Sequence, residues 1–402
     1  MSQSTTSTLR PIEIGLIIAG ELDDAGTQAI QQTQDDLKNT LTSEFSAFDW
    51  TLETVWRPEL GSVNVRMEPV VLLNIAREER DARNWDFVFV ITPVDLISHY
   101  KPFAFGFVSR SIDSAVISTS RPDPLMENRF VEKPARISTL ARRLFVLIRQ
   151  AFGQINSLEP TDDPGNAMRR IHTLADIDTL HEADWSPEQH EVLVENLRLI
   201  ADVRLEEVPN GKNKRLISFY AHSAWLNRHE IISAIIGARP WEFPVRLNRL
   251  TTAALSSSLI LIVTAESWEL AVAQSLLPIV VLAVTAILVT TGYVTIRQQL
   301  LVRREQRISE QSVITNITAV AVVLLGMLTT YAVTFALLVG VATILFSEEL
   351  VKRWTAVDQF SWQIFLVVPA MVASFSVIVG ALGASFEEHH YFRHVIYVDE
   401  EI

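Results

Sequence analysis

Hydrophobic positions follow two regimes along the chain. In the first regime they come in short runs separated by polar turns. Residues 12–19 (IEIGLIIA) form an apolar run closed by Gly20, which predicts a buried strand. Residues 24–45 take helical spacing, 50–56 alternate as a second strand, and 69–82 return to helical spacing. Residues 86–91 (DFVFVI) predict another buried strand, and 104–109 and 114–119 two short ones. Residues 134–156 predict a long helix with Leu140, Leu144, Leu147 and Ile148 on one face. Strands followed by a long covering helix define an α/β layer. Ser186 then offers an N-cap, Pro187 a first helical residue and Gln189 the third capping-box position. That helix is expected to reach residue 207 and stop at Pro209-Asn-Gly-Lys212, with a second helix over 215–237. The pair reads as a helical stalk or linker over residues 181–249.

The second regime is apolar without interruption. Residues 273–296, 313–347 and 359–386 hold 24, 35 and 28 residues with no charge. Each exceeds the ~20 residues needed to cross a ~30 Å hydrocarbon layer. Residues 250–265 add a shorter run of 16 between Arg249 and Glu266. Expected spans are therefore 250–265, 273–296, 315–345 and 362–386, within an all-α transmembrane domain of about four helices over 250–386. Arg239, Arg246 and Arg249 precede the first run, and Arg297, Arg303, Arg304 and Arg307 follow the second. Basic flanks favour the cytoplasmic side, so two crossings are expected between them, turning at Glu266-Ser-Trp-Glu269 with Trp268 at the far interface. The remaining two crossings return residues 387–402 to the cytoplasm as an acidic tail. Residues 1–10 are polar with no apolar secretory core, so the domain over 11–180 is expected to stay cytoplasmic.

Composition agrees with this division. Of 402 residues, 49% are hydrophobic and 20% charged, and mean hydropathy is +0.22. The net charge of −13 disfavours a grip on nucleic-acid phosphates. The chain has no cysteine, which excludes disulfides, thiolate metal sites and cysteine nucleophiles. No phosphate-binding glycine loop occurs. The three long apolar runs carry no Asp, Glu, Lys, Arg or His, the usual marks of a proton or ion path. Gly326, Gly340, Gly380 and Gly383 suit close helix packing.

Residues 150–160, QAFGQINSLEP, end the long helix. Metzincin proteases carry HExxHxxGxxH at such a helix end: three His bind zinc, Glu activates water, and Gly turns the chain. That spacing puts Gln150, Gln154 and Pro160 at the His positions, Ala151 at the Glu and Ser157 at the Gly. Downstream, MRRIHTLADID runs from Met168 through Thr173 and Leu174 to Asp178 and is similar to the archaemetzincin Met-turn segment. Upstream, Asp95, Leu96, Phe105, Gly106, Ser118 and Arg121 follow the family's strand order. The chain thus resembles the archaemetzincins over residues 12–178. The resemblance implies a metzincin-like α/β fold, while the residues present imply that the zinc ligands and the general base are gone. A neutral amide is a poor Zn²⁺ ligand and alanine takes no proton.

His99, His172 and the cluster Glu387-Glu-His-His390 with His394 are the residues from which a metal site could be rebuilt; surface or hydrogen-bonded roles are expected for them. No catalytic residue, metal or cofactor is expected. The reading is a membrane-anchored metzincin-like pseudoenzyme, a protein- or peptide-binding or regulatory module whose sheet edge accepts an extended peptide. The expected partners are a lipid bilayer and a protein or peptide, with self-association of the spans left open and nucleic acid excluded. The alternative is a subunit of an oligomeric channel or transporter with a cytoplasmic sensor domain.

Overall fold

The computed structural model describes residues 10–61, 66–127, 131–201, 208–209, 214–301, 307–308, 310–355 and 361–402. Outside them lie residues 1–9 of the polar tail, the expected helix end at 202–207, its stop at 210–213, Arg303 and Arg304, and 359–360. The chain divides into two compact units. The first comprises Met1–Gly237, Arg304–Ile314 and Tyr397–Ile402. The second comprises Ala238–Arg303 and Thr315–Ile396.

The first unit begins β1 (Arg10–Ala19), α1 (Asp24–Glu44), β2 (Phe48–Arg57), α2 (Pro69–Arg83) and β3 (Phe87–Thr92). It continues β4 (Gly106–Ser109), β5 (Ser114–Ser118), α3 (Lys133–Ile155), α4 (Leu174–Thr179) and α5 (Pro187–Ile200). Then come β6 (Val208–Pro209), α6 (Lys214–Leu226), α7 (Arg228–Ala238), β7 (Arg307–Ile308) and β8 (Glu400–Glu401). One six-stranded sheet runs β2-β1-β3-β5-β4-β8. β2, β1, β3 and β5 are mutually parallel, and β4 and β8 are antiparallel to their neighbours. Alternate residues of β1 (Ile12, Ile14, Leu16 and Ile18) enter a core with α1 and α3. β3 is buried along its whole length, as expected of a central parallel strand covered on both faces. Gly15 in β1 is required by close approach, since a Cβ there would lie 1.9 Å from the Trp85 ring.

Three expectations need correction here. Residues 387–402 do not form a solvated tail. His389–Tyr397 is helical, and the last residues pair with the sheet: Ile402 N donates to Gly106 O (2.8 Å) and Phe105 N to Ile402 O (2.7 Å). Ile402 is 5% exposed within the core, and its apolar side chain explains the docking. The antiparallel edge at β4 is consequently taken by the two-residue β8, and among the described residues β2 is the long terminal strand with no further strand paired to it. α5 is part of the fold rather than a stalk, because Leu193 and Leu197 are buried in the same core. Lastly, the helix expected over 215–237 is interrupted at Asn227, although Asn227 N and Ile231 N still bond four residues back.

The second unit is helical: α8 (Phe243–Arg246), α9 (Asn248–Ile262), α10 (Ala265–Val272) and α11 (Leu276–Arg297), followed by α12 (Glu310–Leu345), which starts in the first unit. α13 (Glu348–Thr355), α14 (Ile364–Ala384) and α15 (His389–Tyr397) complete it. α11, α12 and α14 are each long and apolar enough to cross a membrane. α9 and α10 pass that test only together, bent by 82°. The expected turn at 266–269 is therefore inside α10. Trp268 is wholly buried, its indole N–H donating to Ile262 O (2.8 Å), rather than standing at an interface. α9 packs on α14 through small residues: a Cβ on Gly383 would lie 2.6 Å from Arg249 O, and Ser258 Oγ bonds Ser376 Oγ (2.8 Å).

Candidate functional site: the end of the long helix

The C-terminal turns of α3 carry the residues aligned with the zinc motif. Gln150 and Gln154, one turn apart, are 1% and 3% exposed, and Ala151 is wholly buried against the core. Gln150 Nε2 donates to Arg169 O at 2.6 Å, in the Met168 segment. Among the described residues the side-chain oxygens of Gln150, Gln154 and Asn156 accept no hydrogen bond. Arg110 Nε donates to the Gln154 carbonyl (2.9 Å), adding a bond from a distant segment to a carbonyl at the helix end.

The helix stops at Ser157, whose φ is +69°. Ser157 N bonds Gln154 O (3.0 Å) and Leu158 N bonds Gly153 O (2.9 Å), a left-handed C-cap of the kind glycine usually supplies. Ser157 Oγ meets Ser233 Oγ at 2.5 Å, and Leu158 is buried. The chain then turns back: Thr161 N bonds Met168 O (2.9 Å) and Arg170 N bonds Thr161 O (3.0 Å). Met168 is wholly buried. A Cβ on Gly153 would lie 2.5 Å from its sulfur, so a larger residue there requires the buried Met168 side chain to shift.

Gln150, Gly153, Ser157 and Met168 are therefore brought together, with Ala151 turned to the core. Pro160 stands past the turn, half-buried. The other positions of the resemblance form a structural frame. Asp95 accepts two bonds from Arg121 (3.0 and 3.1 Å), and Asp178 accepts two from the buried Arg143 (both 2.8 Å). These Arg143 hydrogen bonds hold the Asp178 carboxyl below the ordinary aspartate range. Thr173 caps α4 in a capping box with Asp176.

The histidines stand apart from this site. His172 is exposed. His99 Nε2 lies 3.1 Å from Glu68 Oε2. His389 Nδ1 bonds Gln298 Oε1 (3.0 Å), and His394 is buried. Among the described residues no group of three or more His, Asp or Glu could hold a metal. At the helix end the donors are neutral amides, one of them tied to a carbonyl, so the residues do not fit a zinc ion. Arg110, Ser233 and the Arg169 carbonyl arrive from distant segments and carry no signal in the motif spacing.

About half of the chain is similar to solved zinc-peptidase structures. Archaemetzincin from Methanopyrus kandleri aligns with 49% of this chain and 99% of its own at 16% identity and a TM-score of 0.37. A zinc-dependent peptidase from Methanocorpusculum labreanum aligns with 45% and 99% at 14% identity and a TM-score of 0.35. Archaemetzincin from Archaeoglobus fulgidus, complexed with malonate, aligns with 45% and 99% at 12% identity and a TM-score of 0.33. No protein-family model matches the chain, and no curated protein sequence does.

Proposed function

We propose that the chain is a membrane-anchored metzincin-like module without peptidase chemistry, acting by binding a protein or peptide. One observation carries the loss of chemistry. The Gln150 amide, at the first ligand position, bonds the Arg169 carbonyl with a wholly buried Ala151 beside it in the base position. A helix face spent on packing has no group to activate water. An extended peptide has β2 open to it, since β8 occupies the opposite edge.

The anchoring reading is supported by chain parity. Residues 304–314 and 397–402 belong to the same compact unit as residues 1–237. The chain therefore leaves and rejoins that unit twice, and each excursion takes an even number of crossings. Pairing the bent α9–α10 with α11, and α12 with α14, gives four crossings with both ends on one side. The basic flanks assign that side to the cytoplasm. A reporter active only outside the cytoplasm should work when fused after Glu269 and stay silent after Arg307 or Ile402. Activity at Arg307 would overturn the four-crossing arrangement. For binding, hydrogen exchange on the full chain with its co-purifying partner should slow the β2 amides. Solute flux through purified, partner-free proteoliposomes would instead establish the channel reading.

A further inference from the structure

α7 (RHEIISAIIGA) is apolar on more than one side, yet only one side is packed. Ile231 and Ala234 are 7% and 1% exposed, Ser233 bonds Ser157, and the Cα of Gly237 faces Asp399 so closely that a Cβ would lie 2.9 Å from its Oδ1. Ile232 and Ile236, one turn apart, are 52% and 53% exposed. α6 and α7 are separate helices broken at Asn227, so each face is read on its own helix. At about 100° per residue, Arg228, His229, Ile232 and Ile236 of α7 fall within about 50° of a common line. Every one of them is exposed, as is Trp225 near the end of α6, at 70%. Arg228 stacks over the Trp225 ring, 5.3 Å from its centroid.

An all-round apolar helix with one bare face is under-satisfied in water. The character of the bare face selects its occupant. Its one fixed charge is the cation Arg228, and the lone carboxylate of residues 218–238, Glu230, lies off the stripe. This is a basic, tryptophan-bearing surface in a chain of net charge −13. Aliphatic, aromatic and basic residues on one face are the composition of helices that lie in a lipid headgroup layer. The sequence continues within ten residues into α9 at Asn248, the start of the apolar helices.

We propose that the exposed face of α6–α7 lies on an anionic bilayer surface, with Ile232 and Ile236 at the acyl boundary, Trp225 in the interface and Arg228 on lipid phosphates. The proposal rests on the anchored reading and adds a contact made by the sheet-bearing unit itself.

The absence of cysteine gives a clean background for labelling. Ile232→Cys, Ile236→Cys and, as a reference in the exposed turn after α1, Ser46→Cys are each made in the full chain and labelled with an environment-sensitive fluorophore. The proteins are reconstituted in vesicles of two parts phosphatidylcholine to one part phosphatidylglycerol carrying nitroxide lipids. Labels at residues 232 and 236 should be quenched several-fold more than at residue 46. Adding Arg228→Glu should reduce that quenching at least twofold. Quenching no greater than at residue 46, in protein that resists alkaline extraction, overturns the surface contact while leaving the anchor intact. Protein released by alkaline extraction overturns both.

Discussion

Replacing Asp178 with Ala tests whether the frame around the helix end is held by its ion pairs. Arg143 is 5% exposed and spends two 2.8 Å bonds on Asp178 and one on Pro122 O (2.8 Å). Removing one partner of a buried pair costs about 3–5 kcal/mol, because the other charge stays buried. The Asp178 side chain is 33% exposed, so water reaches its end of the pair. The expected loss is accordingly about 2–4 kcal/mol. For a unit of this size that lowers the thermal midpoint by about 5–12 °C. Arg143→Met combined with Asp178→Leu should lose less than Asp178→Ala alone, since the charge is removed together with its partner. The pH dependence has a definite sign. A carboxyl depressed below its ordinary 3.8 contributes stability above that value and loses it as pH falls through the folded value. The gap between wild type and Asp178→Asn should therefore be full at neutral pH and shrink below pH 3.8. Thermal unfolding of the purified full chain, followed by near-ultraviolet circular dichroism, reads both effects. A midpoint loss under about 2 °C, or a gap constant through acid, would refute the argument.

Other outcomes follow from the same contacts. Gly153→Ala should destabilise by about 1–3 kcal/mol through the Met168 sulfur, and Met168→Ala should relieve it, giving a double-mutant coupling above about 1 kcal/mol. Burial first, then the Asp113 charge, pushes the Glu230 carboxyl up to about 8, with Arg80 opposing and Glu310 adding. The folded state then holds a proton that the unfolded state releases above 4.5, so stability falls from there toward pH 8. Glu230→Gln should flatten that decline in a melting series. Gly383→Leu, which forces α9 from α14, should shorten the detergent half-life of the full chain severalfold.

Much of the sheet unit was legible because its signals are local. The strand runs fall at β1, β2, β3, β4 and β5, and Ser186 and Gln189 close the capping box that their spacing predicts. What local pattern misses is partner choice. Residues 398–402 (VDEEI) read as a charged tail, but Ile402 and the backbone of β8 find the β4 edge nearly three hundred residues away. Trp268 suggested an interfacial anchor, yet the break between α9 and α10 folds it against Phe346 and Phe365. At the helix end, Ser157 has the left-handed φ of a turn that glycine would ease. The Arg169 carbonyl and Arg110 depend on tertiary folding and left no trace in the motif.

The proposed loss of zinc chemistry is tested most directly by metal content. The full chain, purified after exposure to zinc and desalted, is measured by elemental analysis beside the variant Gln150→His/Ala151→Glu/Gln154→His/Ser157→Gly/Pro160→His. Structural zinc sites bind with about 10–16 kcal/mol, which the unmodified set of neutral side chains does not supply. Far less than one zinc per unmodified chain, no cleavage of a peptide mixture, and a gain of zinc in the variant are the predicted result. One tightly held zinc per unmodified chain, with peptide cleavage that a chelator abolishes, would contradict it.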